Sequence, residues 1–137
     1  MKEENKRIIG EVLDEIESSL KDPKGLVSHQ RRLIFLISIG SVALFESYLE
    51  KLNVLKKGYK INHLWFKKKK ENVKKPLSVI ITCPVEEVKK IDKILDLVYE
   101  LEKDRNELAY GKSASEEELK EKINLFLDLR KEIEDEK

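Results

Sequence analysis

The stretch Leu33–Leu52, which follows Arg32 in RLIFLISIGSVALFESYLEKL, decides the fold. Its first thirteen residues are apolar or glycine except for Ser38 and Ser41, and no charge appears before Glu46. A helix with one face on a core shows a polar face every three or four positions. Because none appears here for over three turns, we predict a central helix that is covered on several sides.

Apolar residues at three- and four-residue spacing predict further helices on both sides of this stretch. The segment between the second and third helices is irregular, and Pro76 is predicted to close it. The predicted main helices run over Glu3–Lys21, from about Leu26 to Leu55, from near Cys83 to about Tyr110, and from Ser115 onward. We therefore predict one all-α domain over residues 1–137, an antiparallel helical bundle of four main helices plus a short helix.

The charges are numerous but balanced. Lys and Arg number 28 and Asp and Glu number 27, so the net charge is +1 although 40% of the residues are charged. Such a balance argues against a uniformly basic protein, and any nucleic-acid site must therefore be local. Lys and Glu dominate and Gln30 is the only glutamine, a composition that is typical of thermophile proteins.

The remaining composition points to a soluble, cytoplasmic protein. The single Cys83 excludes an internal disulfide and a Cys-rich metal site, and it is compatible with a reducing compartment. The charged N-terminus carries no secretory leader pattern. The apolar run from Leu33 to Phe45 is shorter than the roughly 20 residues that span a bilayer. We expect no membrane span, no metal and no cofactor.

The third predicted helix places an arginine where an aliphatic residue is expected. Its apolar row, Ile91, Ile94, Val98, Leu101, continues through Arg105 to Leu108 at steps of three and four. An unpaired buried charge is costly. Arg105 should therefore face a cleft or an interface, or form an ion pair in the core, for which Glu46 is the predicted partner.

The residues Arg105-Asn106-Glu107-Leu108-Ala109-Tyr110 resemble the motif of the HEPN superfamily, an Arg, a polar residue that is often Asn, and a His four to six residues after the Arg. The match includes the Arg, the Asn and the position before Gly111 and a final helix. The order and lengths of the predicted helices, and the stretch ALFESYLEKL, also resemble this superfamily.

The resemblance implies an RNA-directed protein that acts as a homodimer. In the family, metal-independent endoribonuclease activity resides in a cleft between two subunits. Carried over, Arg105 would hold the phosphate, Asn106 would orient it and Tyr110 would occupy the acid/base position. The resemblance also implies a nucleotidyltransferase-type partner in a toxin–antitoxin pair, in which a Tyr near the motif can be modified.

Tyr110 stands where the family has its His. A tyrosine with a reference pKa of about 10 is a poor base near neutral pH, although it can donate a hydrogen bond or stack on a base. We therefore expect a weak ribonuclease or a catalytically silent RNA binder. Neither His29, predicted on a helix surface, nor His63, predicted beside Trp65, has a spacing that would replace the missing base.

A lysine-rich segment offers a second candidate nucleic-acid site. Nine of the twenty residues 56–75 are Lys, among them Lys67, Lys68, Lys69 and Lys70, and aromatic residues lie between them. Such a pattern suits phosphate and base contacts. Two alternatives remain: a solvated connection whose aromatic residues face the core, or a patch that pairs with the acidic C-terminal segment.

The sequence leaves two classes of function open. The first is the HEPN-like RNA-directed protein that uses Arg105 and Tyr110. The second is a non-catalytic helical protein-interaction module in which Arg105 is an interface residue or an ion-pair partner of Glu46.

Overall fold

The computed structural model describes residues 2–67 and 70–134, and these residues form an all-helical protein, as predicted. No strand occurs among them, and Leu55 and Ile81 form only an isolated bridge. Short 3₁₀ turns cover Leu26–His29, His63–Lys67 and Val85–Glu87. The α-helices of the described part are α1 Glu3–Lys21, α2 Gln30–Lys51, α3 Lys70–Ile80, α4 Ile91–Glu102, α5 Arg105–Tyr110 and α6 Glu116–Glu134.

Helix α2 lies at the centre and packs against α1, α4, α5 and α6. Most of its residues are buried, and Phe45 and Tyr48 are among the largest fully buried side chains. Gly40 allows the closest approach, because a Cβ there would lie 2.7 Å from Val12 Cγ2 and 2.9 Å from Phe126 Cε1. The prediction of a central helix that is covered on several sides is thus confirmed.

One face of α2 is only partly covered by the described residues. Phe35 is 45% exposed, and Leu36, Ile39 and Val42 along the same face are only partly buried. An apolar stripe on a protein that is 40% charged is unusual enough to mark a candidate contact surface.

Length and composition alone would let the helical segment Leu26–Lys51 cross a membrane, so the sequence argument from the shorter run Leu33–Phe45 does not decide the matter. Burial is more informative, because 72% of its most apolar window is enclosed by the other helices. Such a helix is consistent with the core helix of a soluble protein.

The predicted third helix is not continuous. Helix α4 begins only at Ile91 and ends at Glu102, and α5 begins at Arg105. Between them Lys103 is extended, at φ −57° and ψ 134°, and Asp104 adopts the left-handed conformation at φ 64°. The apolar row of α4 therefore does not carry through to Arg105, and the prediction of one unbroken seam is wrong.

The boundary expected at Pro76 is also wrong, since this proline lies inside α3. Proline costs a helix one backbone hydrogen bond. Packing compensates, because Val73, Leu77 and Ile80 place one apolar face of α3 in the core. Helix α2 ends at Lys51, earlier than predicted, and Asn53 with φ 61° turns the chain away.

Candidate functional site

The six-residue helix α5 carries the motif, and a lysine from α6 caps the end of α4 just before it. Lys122 Nζ donates hydrogen bonds to the carbonyl oxygens of Glu100 and Lys103, where α4 ends. Burial lowers the pKa of this amine. A cation at the negative end of a helix is stabilising and satisfies carbonyls that would lack partners. Lys122 thereby fixes the break from which Arg105 starts.

The end of α5 is held by the only glutamine in the chain, Gln30 at the start of α2. Gln30 Nε2 donates to the carbonyl oxygens of Leu108 and Lys112, each at 2.7 Å. Its Oε1 accepts from the amide of Ala114 at 2.9 Å. One side chain thus joins α2 to the last turn of α5 and to the segment that follows Tyr110.

Arg105 lies against an aromatic ring on the surface. Its guanidinium carbon is 5.3 Å from the centroid of Phe35, within the range of a cation–π contact. One of its NH₂ groups donates to Asn106 Oδ1 at 3.4 Å, whereas Nε has no hydrogen-bond partner among the described atoms. Arg105 is therefore half-buried and lies on Phe35, and its Nε is sealed from solvent.

The position of Tyr110 differs from that of an enclosed catalytic residue. Its side chain is 71% exposed, and none of the described residues hydrogen-bonds to it. Arg105 and Tyr110 occupy the two ends of α5 and are not in contact with each other. Phe35 connects them, because it packs under Arg105 and also lines a groove with Tyr110.

This groove, which we call the aromatic groove, runs between α2 and α5 and has a volume of about 710 Å³. Both of its large rings, Phe35 and Tyr110, are solvent-exposed. Two arginines supply its charge, and the described residues that line it include no carboxylate. The lining residues are Arg31, Arg32, Phe35, Leu36, Ala109 and Tyr110.

Glu46 is not the partner of Arg105, so that prediction is wrong. Glu46 Oε1 accepts from Lys2 Nζ at 2.8 Å and from Asn5 Nδ2 at 3.1 Å, and Oε2 accepts from the Ile61 amide at 3.0 Å. Burial raises the pKa of Glu46, but these three donors outweigh burial and hold the pKa below its ordinary value. Glu46 fastens α1 and the segment after α2 instead of supporting the motif.

His29 is buried, and its predicted place on a helix surface is wrong. Its Nε2 lies 2.7 Å from Asp22 Oδ2 and its Nδ1 lies 3.1 Å from Glu15 Oε1. Hydrogen bonds to Asp22 and then to Glu15 raise the pKa of the imidazole above its ordinary value. Arg32 Nε shares Glu15 Oε1 at 2.7 Å, so the His29 imidazole, one guanidinium and two carboxylates form one cluster.

The lysine-rich segment is partly neutralised within the chain, and its described partners lie on or near α4 rather than in the acidic C-terminal segment. Lys74 Nζ lies 2.7 Å from Asp92 and 3.2 Å from Glu86, and Lys70 Nζ lies 3.5 Å from Asp96. Of the predicted substrate-binding lysines, Lys68, Lys69 and the side chain of Lys67 lie outside the described residues.

Three residues near α5 escaped the sequence reasoning: Phe35, Gln30 and Lys122. Phe35 could not be told from its apolar neighbours, although it is the exposed one. Gln30 carried a weak signal as the only glutamine, placed at the start of the central helix. Lys122 carried none, because its partners are backbone carbonyls.

Within the described residues, no group of three or more His, Cys, Asp or Glu side chains is placed to hold a metal ion. The arrangement around α5 can bind anions and flat rings. Comparisons with models of protein families, with curated proteins and with solved structures found no match to this chain.

Proposed function

We propose that this chain is a HEPN-like, RNA-directed protein that binds RNA at the aromatic groove and is catalytically silent at the motif Arg105–Tyr110. The observation that carries the proposal is the aromatic groove itself. It combines two exposed rings with arginines, and its described lining residues include no carboxylate. Bases stack on such rings and phosphates pair with such cations.

The absence of cleavage follows from the surroundings of Tyr110. A general base must accept a proton in the reaction and needs a suitable pKa and a fixed position. The exposed phenol of Tyr110 has no described hydrogen-bond partner to fix its position, whereas it suits stacking. Arg105, whose charged guanidinium lies on the exposed ring of Phe35, suits a phosphate contact.

The proposal includes a homodimer and the antiparallel four-helix arrangement of the family. The partly buried apolar residues Ile39 and Val42, which lie on α2 beyond the aromatic groove, support a second copy as their cover. A dimer across this face would place two motifs near one cleft. Ile39→Glu should convert the dimer to a monomer in analytical ultracentrifugation, whereas Leu127→Glu, at an exposed leucine of α6, should not.

The decisive experiment measures RNA binding and RNA cleavage on the same samples. Purified protein is mixed with a pool of RNA under chelator, and wild type is compared with Arg105→Ala and with the matched control Arg7→Ala on exposed α1. We expect salt-sensitive binding without cleavage, weakened by Arg105→Ala only. Absence of RNA binding by the wild type would contradict the proposal and favour the protein-interaction module.

Tyr110→His tests the reason for silence. If the missing imidazole is the cause, the variant should gain metal-independent cleavage of RNA. An intact fold and unchanged RNA binding with no cleavage would show that the loss of this His is not the cause.

A second role for Tyr110 rests on its 71% exposure. We propose that its hydroxyl is accessible to a nucleotidyltransferase-type partner, which could modify it. Intact-mass measurement after incubation with such a partner and a nucleoside triphosphate should show one added nucleotidyl group, and Tyr110→Phe should show none.

A further inference from the structure

A second cleft, which we call the basic cleft, lies beside the aromatic groove and has a volume of about 450 Å³. It is formed by the start of α2 and the segment after α5. Three of its lining residues are arginine or lysine, and none of the described ones is acidic. They are Val27, Ser28, His29, Gln30, Arg31, Arg32, Leu108, Gly111, Lys112 and Ser113.

Three acids that contact lining residues of the basic cleft are already engaged. Glu15 accepts from Arg32 and His29, and Asp22 accepts from His29. Glu116 Oε1 accepts from the amide of Val27.

Arg31 and Lys112, by contrast, are exposed, and no described residue accepts a hydrogen bond from either side chain. Two unpaired cations in a concave site without acidic lining create a positive potential, which a bound anion would relieve. A balanced net charge of +1 makes such a local excess informative.

The basic cleft is continuous with the aromatic groove, because Arg31 and Arg32 line both. A strand whose base stacks on Phe35 or Tyr110 would carry its neighbouring phosphates past these arginines. The volume lies in the range of about 300–1,000 Å³ that is usual for ligand pockets.

We propose that the basic cleft is a phosphate-binding subsite that holds the RNA backbone next to the nucleotide stacked in the aromatic groove. This inference rests on the proposed RNA binding. It assigns the cleft to Arg31 and Lys112 as direct phosphate contacts. Arg32 supports the subsite from within the cluster around His29.

The test measures binding of a fluorescein-labelled twelve-nucleotide oligouridylate by anisotropy at a series of KCl concentrations. Wild type is compared with Arg31→Gln and Lys112→Gln, and with Lys120→Gln, which removes an exposed lysine of α6, as the matched control. Each cleft variant should make the negative slope of log K against log salt shallower by about 0.7, the value for one phosphate contact on a single strand. Lys120→Gln should leave the slope unchanged.

The outcomes separate this inference from the proposed function. If the wild type binds RNA and Phe35→Ala weakens binding, but both cleft variants keep the wild-type slope, the subsite is refuted and the RNA-binding groove stands. If the wild type binds no RNA, the proposed function fails and the RNA subsite fails with it.

A second arm distinguishes a polynucleotide backbone from free phosphate. Inorganic phosphate is titrated while the amide signals of residues 27–32 and 111–113 are followed by NMR. Millimolar phosphate that shifts these signals in the wild type but not in Arg31→Gln supports the anion site. The same shifts together with unchanged RNA slopes would assign the cleft to free phosphate and overturn the backbone role.

Discussion

Replacing Gln30 by methionine should loosen the end of α5 while leaving the core volume nearly unchanged. Methionine is close to glutamine in size and shape but cannot make the bonds to Leu108, Lys112 and Ala114. Leu108 and Ala114 are only 3% and 5% exposed, so water cannot easily replace the lost partner. Three net hydrogen bonds at about 1 kcal/mol each predict a loss of about 3 kcal/mol.

The assay is denaturant and thermal unfolding, each followed by circular dichroism, with hydrogen exchange read by mass spectrometry over residues 105–115. For a domain of this length, 1 kcal/mol corresponds to about 3.5 °C in Tm, so Gln30→Met should lower Tm by about 10 °C. Amides of residues 108–114 should lose protection first. Lys120→Met, which changes an exposed residue, should stay within about 0.5 kcal/mol of wild type.

Gln30→Glu is a sharper test. Its carboxylate can still accept from the Ala114 amide, but it replaces the Nε2 donor by an oxygen that faces the carbonyl oxygens of Leu108 and Lys112. It should be at least as destabilising as Gln30→Met near neutral pH. A loss below about 1 kcal/mol for both variants, with unchanged exchange over 108–114, would refute the view that Gln30 holds this segment.

Three further predictions concern the core and the buried charges. Gly40→Ala should lower the free energy of unfolding in a urea titration by about 0–2 kcal/mol, because overpacking costs about 1–3 kcal/mol and the gain in helix propensity is only about 1 kcal/mol. Gly10→Ala, which has no atom within 4 Å of the new Cβ, should raise the free energy of unfolding by up to about 1 kcal/mol. A more stable Gly40→Ala variant would contradict the close packing at Gly40. Because the pKa of His29 is raised, its contribution to stability is complete below its ordinary pKa of 6.5 and is lost as pH rises through the higher folded pKa. His29→Gln should therefore reduce the dependence of the free energy of unfolding on pH between these two values. Parallel pH profiles of wild type and variant would contradict this prediction. The lowered pKa of Glu46 has the opposite effect: its contribution to stability is complete above its ordinary pKa of 4.5 and is lost as pH falls through the folded pKa. Glu46→Gln should therefore cost about 1–3 kcal/mol at pH 7 and remove this dependence on acid. An unchanged profile of stability at acidic pH would disprove this prediction.

Local patterns predicted those parts of the fold that local physics decides. The bounds of α1 follow from apolar spacing alone, and both agree with the structure. At the start of α6, the Glu118 amide donates to Ser115 Oγ at 3.1 Å, and the Ser115 amide donates back to Glu118 Oε1 at 3.4 Å. Here the sequence spacing itself specifies the bonded atoms.

The break before Arg105 could not be predicted, because its cause is distant in sequence. Lys103 and Asp104 include neither glycine nor proline, the usual signals of a turn. The interruption depends on carbonyls that are satisfied by Lys122 of α6, about twenty residues further on. Local helix propensity favoured one long helix, whereas the contact of Lys122 with the carbonyls at the end of α4 favours two separate helices, α4 and α5.

Only part of the candidate site was predicted, because its other residues come from segments that are distant in sequence. The motif was located from its residues, but Phe35 and Gln30 became visible only once α2 lay against α5. Arg105 was predicted as the partner of Glu46 because sequence alone does not decide which acid and which base of the core form a pair. The actual donors to Glu46 are Lys2, Asn5 and a backbone amide, and nothing local marks any of them as its partner.

The interruption at Lys103 and Asp104 has a consequence for how this chain can vary in length. In an unbroken helix, one inserted residue rotates everything that follows by 100° and turns a buried face outward. Here Lys122 of α6 caps the end of α4, and Gln30 of α2 separately holds the end of α5, so the phase of α4 does not set the orientation of α5. Insertions or deletions at this joint should be absorbed without re-aiming Arg105, whereas the same changes inside α4 would displace its core face. Tolerance to length change should therefore peak two residues before the motif.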